Sequence, residues 1–282
     1  MNPATPKQIM KPTRDLGPES EPFLRMWREV WAHRELVFFL AWRDVKVRYK
    51  QTVFGVLWAI LRPAISAAVF TFVFGSMAKL PSGETPYLLV AMSGVLGWSL
   101  MSDGISGASQ SMISNTSLVT KVYFPRIILP LAALCRGLVD WLFAAALYLG
   151  ISMWAGHPPG ADVILLPLAM IYALAVALGI SLWFSAAGVR YRDVAHALPF
   201  ALQVLFWISP IGYSSVHIPE SVAPWYWCNP VVGVMELFRL ALLGHANIPG
   251  HLLAVSITSG LCVLVGGLWF FRRMEAAFAD VI

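Results

Sequence analysis

Six long apolar runs constrain the fold of this 282-residue sequence more than any other feature. Each has about 20 residues or more, the length at which an α-helix crosses the hydrocarbon core of a bilayer. Hydrophobic residues make up 58% of the chain and charged residues only 12%, a balance untypical of a soluble domain. The sequence therefore predicts an all-α integral membrane protein. The predicted spans are residues 54–78, 86–109, 127–154, 163–189, 195–213 and 251–271.

Basic residues indicate which side of the membrane each loop occupies. Ten of the twenty Lys and Arg residues precede residue 51, next to the first span, so anionic lipid is a better partner for them than nucleic acid. Six further loop cations fall on alternate loops, on the same side as this cluster, whereas the opposite side has little beyond Lys79. This asymmetry places both termini in the cytoplasm. The six cations are Lys121, Arg126, Arg190, Arg192, Arg272 and Arg273. Residues 1–21 are polar and predict a disordered cytoplasmic tail, followed by a single membrane domain over 22–282.

The segment before the first span, residues 22–52, predicts a helix on the cytoplasmic headgroups. Its helical spacing places four apolar side chains on one face and three cations on another. These are Phe38, Trp42, Val45 and Tyr49, and Arg43, Lys46 and Lys50. Asp44 reaches Arg48 at i,i+4. The cations would face anionic lipid. The alternative is an ordinary positive-inside flank of the first span.

Residues 214–250 fit neither a span nor a plain loop. The stretch is apolar and helix-like but is interrupted by Pro219, Pro224, Pro230 and Pro249. It predicts a re-entrant pair of short helices, which membrane depth allows where the pair packs on protein or lines water.

Within this segment, a row of aromatics precedes an amphipathic helix. Asn229 can cap that helix with Pro230 at its first position, and Glu236 and Arg239 lie at i,i+3. We predict that residues 214–250 form a gate on the extracytoplasmic side, and we call these residues the gate segment. The alternative is an aromatic belt resting on the outer headgroups. The aromatics are Trp225, Tyr226 and Trp227.

Five motifs, in register from about residue 22 to the end, resemble a known family. They are R-D-x-K-x-R-Y-x-x-T-x-x-G-x-x-W-x-x-x-x-P from Arg43, KVYFPRIILP at 121–130, RYRDV at 190–194, CNPVVGVMELFR at 228–239 and FRRMEAAFADVI at 271–282. The family comprises the membrane subunits of bacterial type-2 ATP-binding-cassette exporters of polysaccharides such as O-antigen, capsule or teichoic acid.

The resemblance implies a permease that moves a lipid-linked polysaccharide across the bacterial inner membrane through a homodimeric channel. It implies two copies of a cytoplasmic ATPase as partners. The chain has no G-x-x-x-x-G-K-[ST] loop, so we expect no enzymatic activity, with ATP and Mg on the partner and no cofactor or metal on this chain. One alternative is a type-2 exporter of drugs or lipids. An ion-coupled carrier would predict inverted repeats and more buried acids.

The loop between the second and third spans is similar to the segment that docks on the ATPase in this family. Asn115 or Thr116 can cap a short helix, and Pro125 would end it. The alternative is a helix that lies on lipid. Where the family often has an acid after Phe-Pro-Arg, this chain has Ile127. The predicted coupling residues are Asn115, Leu118, Val119, Lys121, Val122, Phe124, Pro125 and Arg126.

Four charged residues fall inside predicted spans and are candidates for function. Arg136 and Asp140 at i,i+4 predict a neutralising pair, with a substrate contact as the alternative. Asp103 would meet Arg136 across a helix contact or face water. Arg62 would snorkel to the cytoplasmic phosphates or, with Lys50, steady the pyrophosphate of the lipid-linked substrate.

Aromatic side chains are the candidates for the channel wall. Their faces can contact the C–H faces of sugars while the sugar hydroxyls stay hydrated. Packing at the lipid interface is the alternative for each of them. The candidates are Trp58, Trp98, Phe206, Trp207 and Tyr213.

Overall fold

The computed structural model is a bundle of α-helices, with no strand among the residues it describes. Those residues are 23–50, 55–122, 124–191, 193–215, 218, 219, 221–244, 249–275 and 278. The predicted tail, residues 1–21, lies outside them. The helices are α1 Phe23–Ala32, α2 Arg34–Lys50, α3 Gly55–Phe70, α4 Tyr87–Ser114, α5 Thr116–Lys121, α6 Ile128–Trp154, α7 Leu166–Arg190, α8 Val194–Trp207, α9 Ala223–Tyr226, α10 Pro230–Leu243 and α11 Gly250–Glu275. A π-helical segment, Thr71–Met77, extends α3, and a 3₁₀ turn, Ala161–Leu165, precedes α7.

Among the described residues, five helical segments are long and apolar enough to cross a membrane, which confirms an all-α membrane fold. They are Gly55–Met77, Tyr87–Ser114, Ile128–Trp154, Ala161–Arg190 and Gly250–Glu275. The sixth predicted span, 195–213, corresponds to α8, which has 14 residues. At 1.5 Å per residue, α8 is about 21 Å long, shorter than a hydrocarbon core of about 30 Å. The count of six spans therefore stays a prediction.

The core of the bundle forms around α4, which packs against α3, α6, α7 and α10. Helices α7 and α11 approach each other closely. A Cβ added at Gly179 would come within 2.7 Å of the Leu264 Cα atom, so only glycine allows the two backbones this approach. By contrast, few residues of α3 are buried, so most of its surface is available to lipid or to another chain.

Cations lie over aromatic rings at one end of the bundle, at distances between 5.5 and 5.9 Å. This end carries the cations that predict the cytoplasmic side, and a cation over a ring is a common arrangement at a headgroup layer. At the opposite end Trp154 is 89% exposed. The pairs are Arg34 over Trp31, Lys46 over Trp42, Arg190 over Tyr191 and Arg273 over Trp269.

Helix α10 lies inside the bundle, between α4, α7 and α11. The N-cap predicted for it forms, because the Asn229 side chain accepts a hydrogen bond from the Val231 N–H at 3.0 Å and Pro230 follows the cap. The helix ends at Gly244, whose φ of 73° requires glycine. Four apolar residues predicted at helical spacing are fully buried: Val231, Val234, Met235 and Phe238. Whether α9 and α10 form a re-entrant pair stays a prediction.

A buried ion pair ties α10 to the chain that follows α8. Arg239 Nη1 donates to Glu236 Oε1 at 2.7 Å, and both side chains are about fully buried. Arg239 also donates to the carbonyls of Pro210 and Ile211, and Glu236 accepts from the Ser215 N–H at 3.0 Å. The pair therefore satisfies backbone groups that the proline-containing segment leaves without helical partners.

Breaking this pair should destabilise the fold strongly. Glu236→Gln or Arg239→Met alone leaves a buried charge without its partner and should lower the free energy of unfolding by about 3–5 kcal/mol. Chemical unfolding in detergent micelles measures the change. The double variant should lose less than the sum of the two, and a loss larger than the sum would contradict the pairing. Arg273→Met, at an exposed cation–ring contact, serves as the control.

Candidate functional site

Helix α2 packs along α6, and this contact differs from the predicted orientation. Leu40 and Val45 are buried, whereas Phe38 is 71% and Trp42 49% exposed. The predicted apolar face is therefore only partly buried, because the side of α2 that contacts α6 is rotated away from the centre of that face. The exposed aromatics fit a lipid surface, with Lys46 placed over the Trp42 ring.

Two residues at the end of α2 bind the carboxylate of Asp140 on α6. Arg48 Nη2 lies 2.7 Å from Asp140 Oδ2, and the Tyr49 hydroxyl donates to Asp140 Oδ1. Burial, followed by this hydrogen bond, raises the pKa of Tyr49 above its ordinary value. Asp140 is 6% exposed. Its buried carboxylate is paired with a guanidinium and hydrogen-bonded, which offsets the cost of removing the charge from water.

Two predicted ion pairs are therefore wrong. Asp140 pairs with Arg48 and not with Arg136, whose guanidinium lies against Gly107, where α4 has no side chain. Asp44 bonds Arg43 at 2.8 Å, because Arg48 is engaged by Asp140.

Arg43 connects α2 to the junction between α4 and α5. Its Nη2 donates to Asn115 Oδ1 at 2.8 Å, and the Asn115 amide donates to the Ser111 carbonyl at 2.8 Å. Asn115 stands at the N-cap position of α5 but its side chain caps no N–H. Neither predicted cap forms, because Arg43 and Ser111 hold the Asn115 side chain and the Thr116 hydroxyl donates to the Ile113 carbonyl at 2.8 Å.

Among the predicted coupling residues, the structure separates buried from exposed side chains. Val119 and Phe124 are buried, Leu118 packs against the core, and Val122 is 53% exposed. Lys121 is exposed and is the last residue of α5, so the helix ends four residues before Pro125, not at it. Val122 and Lys121 are thus the residues of this group open to a partner.

Arg126, the last predicted coupling residue, joins the loop to α11. Its N–H donates to Glu275 Oε1 at 3.2 Å, and its guanidinium donates to the Glu275 carbonyl. The start of α6 and the end of α11 therefore meet at one face, as the charge asymmetry predicts. Pro125 beside it is half-buried.

A cavity of about 330 Å³ lies between α2, α3, α4 and α6. We call it the tryptophan cavity because three indole rings line it. Two guanidinium and two carboxyl groups also line it, together with small and hydroxyl side chains. The rings are Trp58, Trp98 and Trp141, and the charged residues are Arg48, Arg62, Asp103 and Asp140. Asp103 thus faces the cavity, and Arg62 lies on its wall.

A series of aromatic contacts leads from the tryptophan cavity toward the gate segment. Trp98 meets Phe206 at 5.4 Å between ring centroids, Phe206 meets Phe70 at 5.7 Å and Phe70 meets Phe74 at 5.9 Å. Phe74 then meets Tyr213 at 6.0 Å, whose hydroxyl lies 3.1 Å from that of Tyr226. We call this series the aromatic chain. Trp207 lies beside it, 5.3 Å from Phe206 and 65% exposed.

Four of the five predicted channel aromatics lie in or beside the aromatic chain: Trp98, Phe206, Trp207 and Tyr213. The fifth, Trp58, lies on the wall of the tryptophan cavity. In the gate segment Trp225 is 79% exposed and Trp227 only 2% exposed, so the aromatic row is divided between surface and core.

The ABC-2 type transporter family matches residues 35–243 of this chain. The chain belongs to this family. It is 25% identical over 253 residues, 88% of its length, to an O-antigen export system permease protein RfbA from Klebsiella pneumoniae, of which it covers 95%. It is 25% identical to the RfbA of Myxococcus xanthus, over 92% of this chain and all of that one. The polysialic acid transport protein KpsM of Escherichia coli is 25% identical over 83% of this chain and 92% of its own.

As an ABC-2 transporter subunit, the chain is a multi-pass membrane protein. Within the part of the chain that the structure describes, no group of His, Cys, Asp and Glu residues could hold a metal ion. The prominent chemical feature is the tryptophan cavity. Sequence reasoning missed Trp141 in this cavity and Phe70 and Phe74 in the aromatic chain, although Phe70 and Phe74 stand at i,i+4, the spacing of neighbours on one helix face.

The partner of Asp140 can be tested by a double-mutant cycle. Arg48→Gln and Asp140→Asn should be coupled by about 0.5–3 kcal/mol in the free energy of unfolding, because they remove the same contact. The matched pair Arg136→Gln and Asp140→Asn should be additive within about 0.5 kcal/mol. Chemical unfolding in micelles measures both cycles. A larger coupling to Arg136 than to Arg48 would restore the pair that the spacing predicts.

Proposed function

We propose that this ABC-2 transporter subunit is the permease of an ATP-driven exporter that moves a lipid-linked polysaccharide out of the bacterial cytoplasm across the inner membrane. The observation that carries the proposal is the tryptophan cavity, which continues into the aromatic chain. Such rings offer weak, repeated contacts to sugar faces, which suit a sliding polymer. The relatives named for O-antigen and polysialic acid favour a polysaccharide over drugs or lipids.

A homodimer is the proposed form of the channel. A polar polymer needs a continuous wet path, because unpaired polar groups in hydrocarbon cost several kcal/mol each. The α4-centred core of one chain is filled with apolar side chains. On α3 and its π-helical extension, Ile65, Val69 and Phe72 are each more than half exposed. A two-fold dimer can enclose a path between two such bundles, with α3 and the aromatic chain near its wall.

The proposed energy source is a pair of ATP-binding-cassette ATPases that bind ATP and Mg on the cytoplasmic side. Exposed Val122 and Lys121 would meet the ATPase. Arg43 joins Asn115 beside them to α2, and α2 contributes Arg48 to the wall of the tryptophan cavity. A displacement of α5 would therefore be transmitted to the cavity through α2, by way of the Arg43–Asn115 and Arg48–Asp140 contacts.

The cations of α2 divide into two groups under this proposal. Arg43 and Arg48 are engaged by Asn115 and Asp140, and Tyr49 donates to Asp140 as well. Lys46 and Lys50 are exposed, so these two are available to phosphates of lipid headgroups or of the carrier pyrophosphate.

Assembly with the ATPase is the direct test of the proposed function. The purified chain alone should hydrolyse no ATP, and co-expression with its cognate ATPase should yield a stable complex of two copies of each. Val122→Asp should bury an unpaired charge at the contact and reduce recovery of the complex or its glycan export about tenfold or more. Pull-down and export of surface glycan are the readouts.

Val163→Asp provides the matched control, since Val163 is also exposed but lies in the 3₁₀ turn before α7, at the other end of the bundle. It should leave the complex intact. ATP hydrolysis by the isolated chain, or full assembly of the Val122→Asp variant, would argue against the proposal.

The gate segment is the proposed closure at the outer end. Its support is the buried helix α10, held by the Glu236–Arg239 pair, and the contact of Tyr226 with the end of the aromatic chain.

Thiol labelling tests this closure in the transporting complex. In a chain whose three native cysteines are replaced by serine, Trp225→Cys should react rapidly with an impermeant reagent, because residue 225 is exposed. Met235→Cys should be protected at rest, because residue 235 is fully buried, and should become reactive when polymer occupies the channel. Equal, rapid labelling at both positions without substrate would identify an open loop instead.

A further inference from the structure

The tryptophan cavity carries an inference about what it binds. We propose that it is a subsite for one uncharged sugar unit of the exported glycan, with Trp58 and Trp98 as stacking faces and Asp103 and Arg62 as hydrogen-bonding groups. The proposal rests on the proposed function. It assigns the cavity to the glycan and not to the pyrophosphate of the lipid carrier.

The balance of charge in the cavity disfavours a phosphate group. Arg48 and Asp140 neutralise each other at 2.7 Å. Arg62 and Asp103 remain on the cavity wall with opposite charges. Among the described residues no hydrogen bond or close ion pair engages either of them, although Asp103 lies within electrostatic reach of Arg48, Arg62 and Arg136. In their ionised forms the four groups carry no net charge. A pyrophosphate would gain one free guanidinium but would also face the Asp103 carboxylate in a site of low dielectric, where like charges repel strongly.

A sugar hydroxyl uses both of the free groups. A guanidinium only donates hydrogen bonds, and an ionised carboxylate only accepts them. A hydroxyl both donates and accepts, so neighbouring hydroxyls on one ring can donate to Asp103 and accept from Arg62. Ser66, Ser99 and Ser102 also line the cavity and add oxygens that can serve either way.

The indole rings supply the apolar half of such a site. Trp58 is 50% exposed and Trp98 is half-buried, so each offers part of a ring to the cavity. Trp141 is 5% exposed, and its indole N–H has no hydrogen-bond partner among the described residues. A buried donor without a partner is costly, and a ligand hydroxyl is a partner of the right kind.

The size and place of the cavity suit a single unit of the polymer. At about 330 Å³ it lies at the small end of ligand-binding cavities, about 300–1,000 Å³. Trp98 belongs both to the cavity and to the aromatic chain. A sugar held there would therefore have its next stacking surface at Phe206, along the direction of export.

Binding of small probes to the full-length chain in lipid nanodiscs tests the proposal. The probes are a panel of neutral methyl hexosides and, separately, inorganic pyrophosphate. Saturation-transfer NMR and tryptophan fluorescence should show saturable hexoside binding and none of pyrophosphate. Asp103→Asn should weaken hexoside binding about tenfold, the equivalent of a hydrogen bond to a charged group, and Asp103→Glu should restore part of it. Trp58→Leu should weaken hexoside binding by up to about tenfold through the loss of a stacking face.

Trp154→Leu is the matched control, because Trp154 is 89% exposed at the opposite end of the bundle, and it should bind hexosides as the unaltered chain does. Thermal unfolding of each variant reports whether the fold is retained. Pyrophosphate binding that is lost in Arg62→Gln would identify a phosphate site and overturn the proposal. Absence of hexoside binding, or binding indifferent to both Asp103 and Trp58, would overturn it as well.

The outcome is separable from that of the proposed function. A chain that assembles with its ATPase and exports glycan, yet binds no hexoside in this cavity, would remain a permease without this subsite. A chain that fails to assemble would lose the proposed function, whatever the cavity binds.

Discussion

A carboxylate in the middle of a membrane-spanning helix has to be neutralised, and the way Asp140 meets this requirement shapes the half of the molecule that carries the loop cations. Its partners, Arg48 and Tyr49, come from the end of α2. Meeting them draws α2 against α6 and closes one wall of the tryptophan cavity. The same helix holds Asn115 through Arg43. One buried charge thus positions the helix that connects the α4–α5 junction to the cavity.

The opposite half depends on a second buried charge pair, Glu236 with Arg239. Its extra hydrogen bonds go to backbone groups after α8, where proline and turns leave carbonyls without helical partners. Between these two anchored regions, α3 and α8 make fewer contacts with the core and expose large apolar side chains. The aromatic chain runs between these helices and α4. The path proposed for the glycan therefore lies along α3 and α8, which pack less tightly than the two regions held by the buried charge pairs.

Sequence rules that act over one or two helical turns predicted the structure well. Apolar run length located five of the helical spans, and the Asn229 cap and the Glu236–Arg239 spacing are both local patterns that form. The rules were wrong where a distant group competes. Asp140 has Arg136 at i,i+4 but bonds Tyr49, 91 residues away, and Asn115 bonds Arg43, 72 residues away, in place of its own helix. The tryptophan cavity depends on four helices meeting, which no spacing within one helix reveals.

The cations that lie over aromatic rings at one end of the bundle have a consequence for the lipid around the protein. They fix the level of one headgroup layer on α2, α7 and α11, and Trp154 and Trp225 stand exposed at the opposite end. The close backbone contact at Gly179 keeps α7 and α11 from sliding to change this separation. In a bilayer of another thickness the whole bundle has to tilt, or the lipid has to deform, at a cost for each ångström of mismatch. The tilt of the bundle therefore depends on the acyl-chain length of the surrounding lipid.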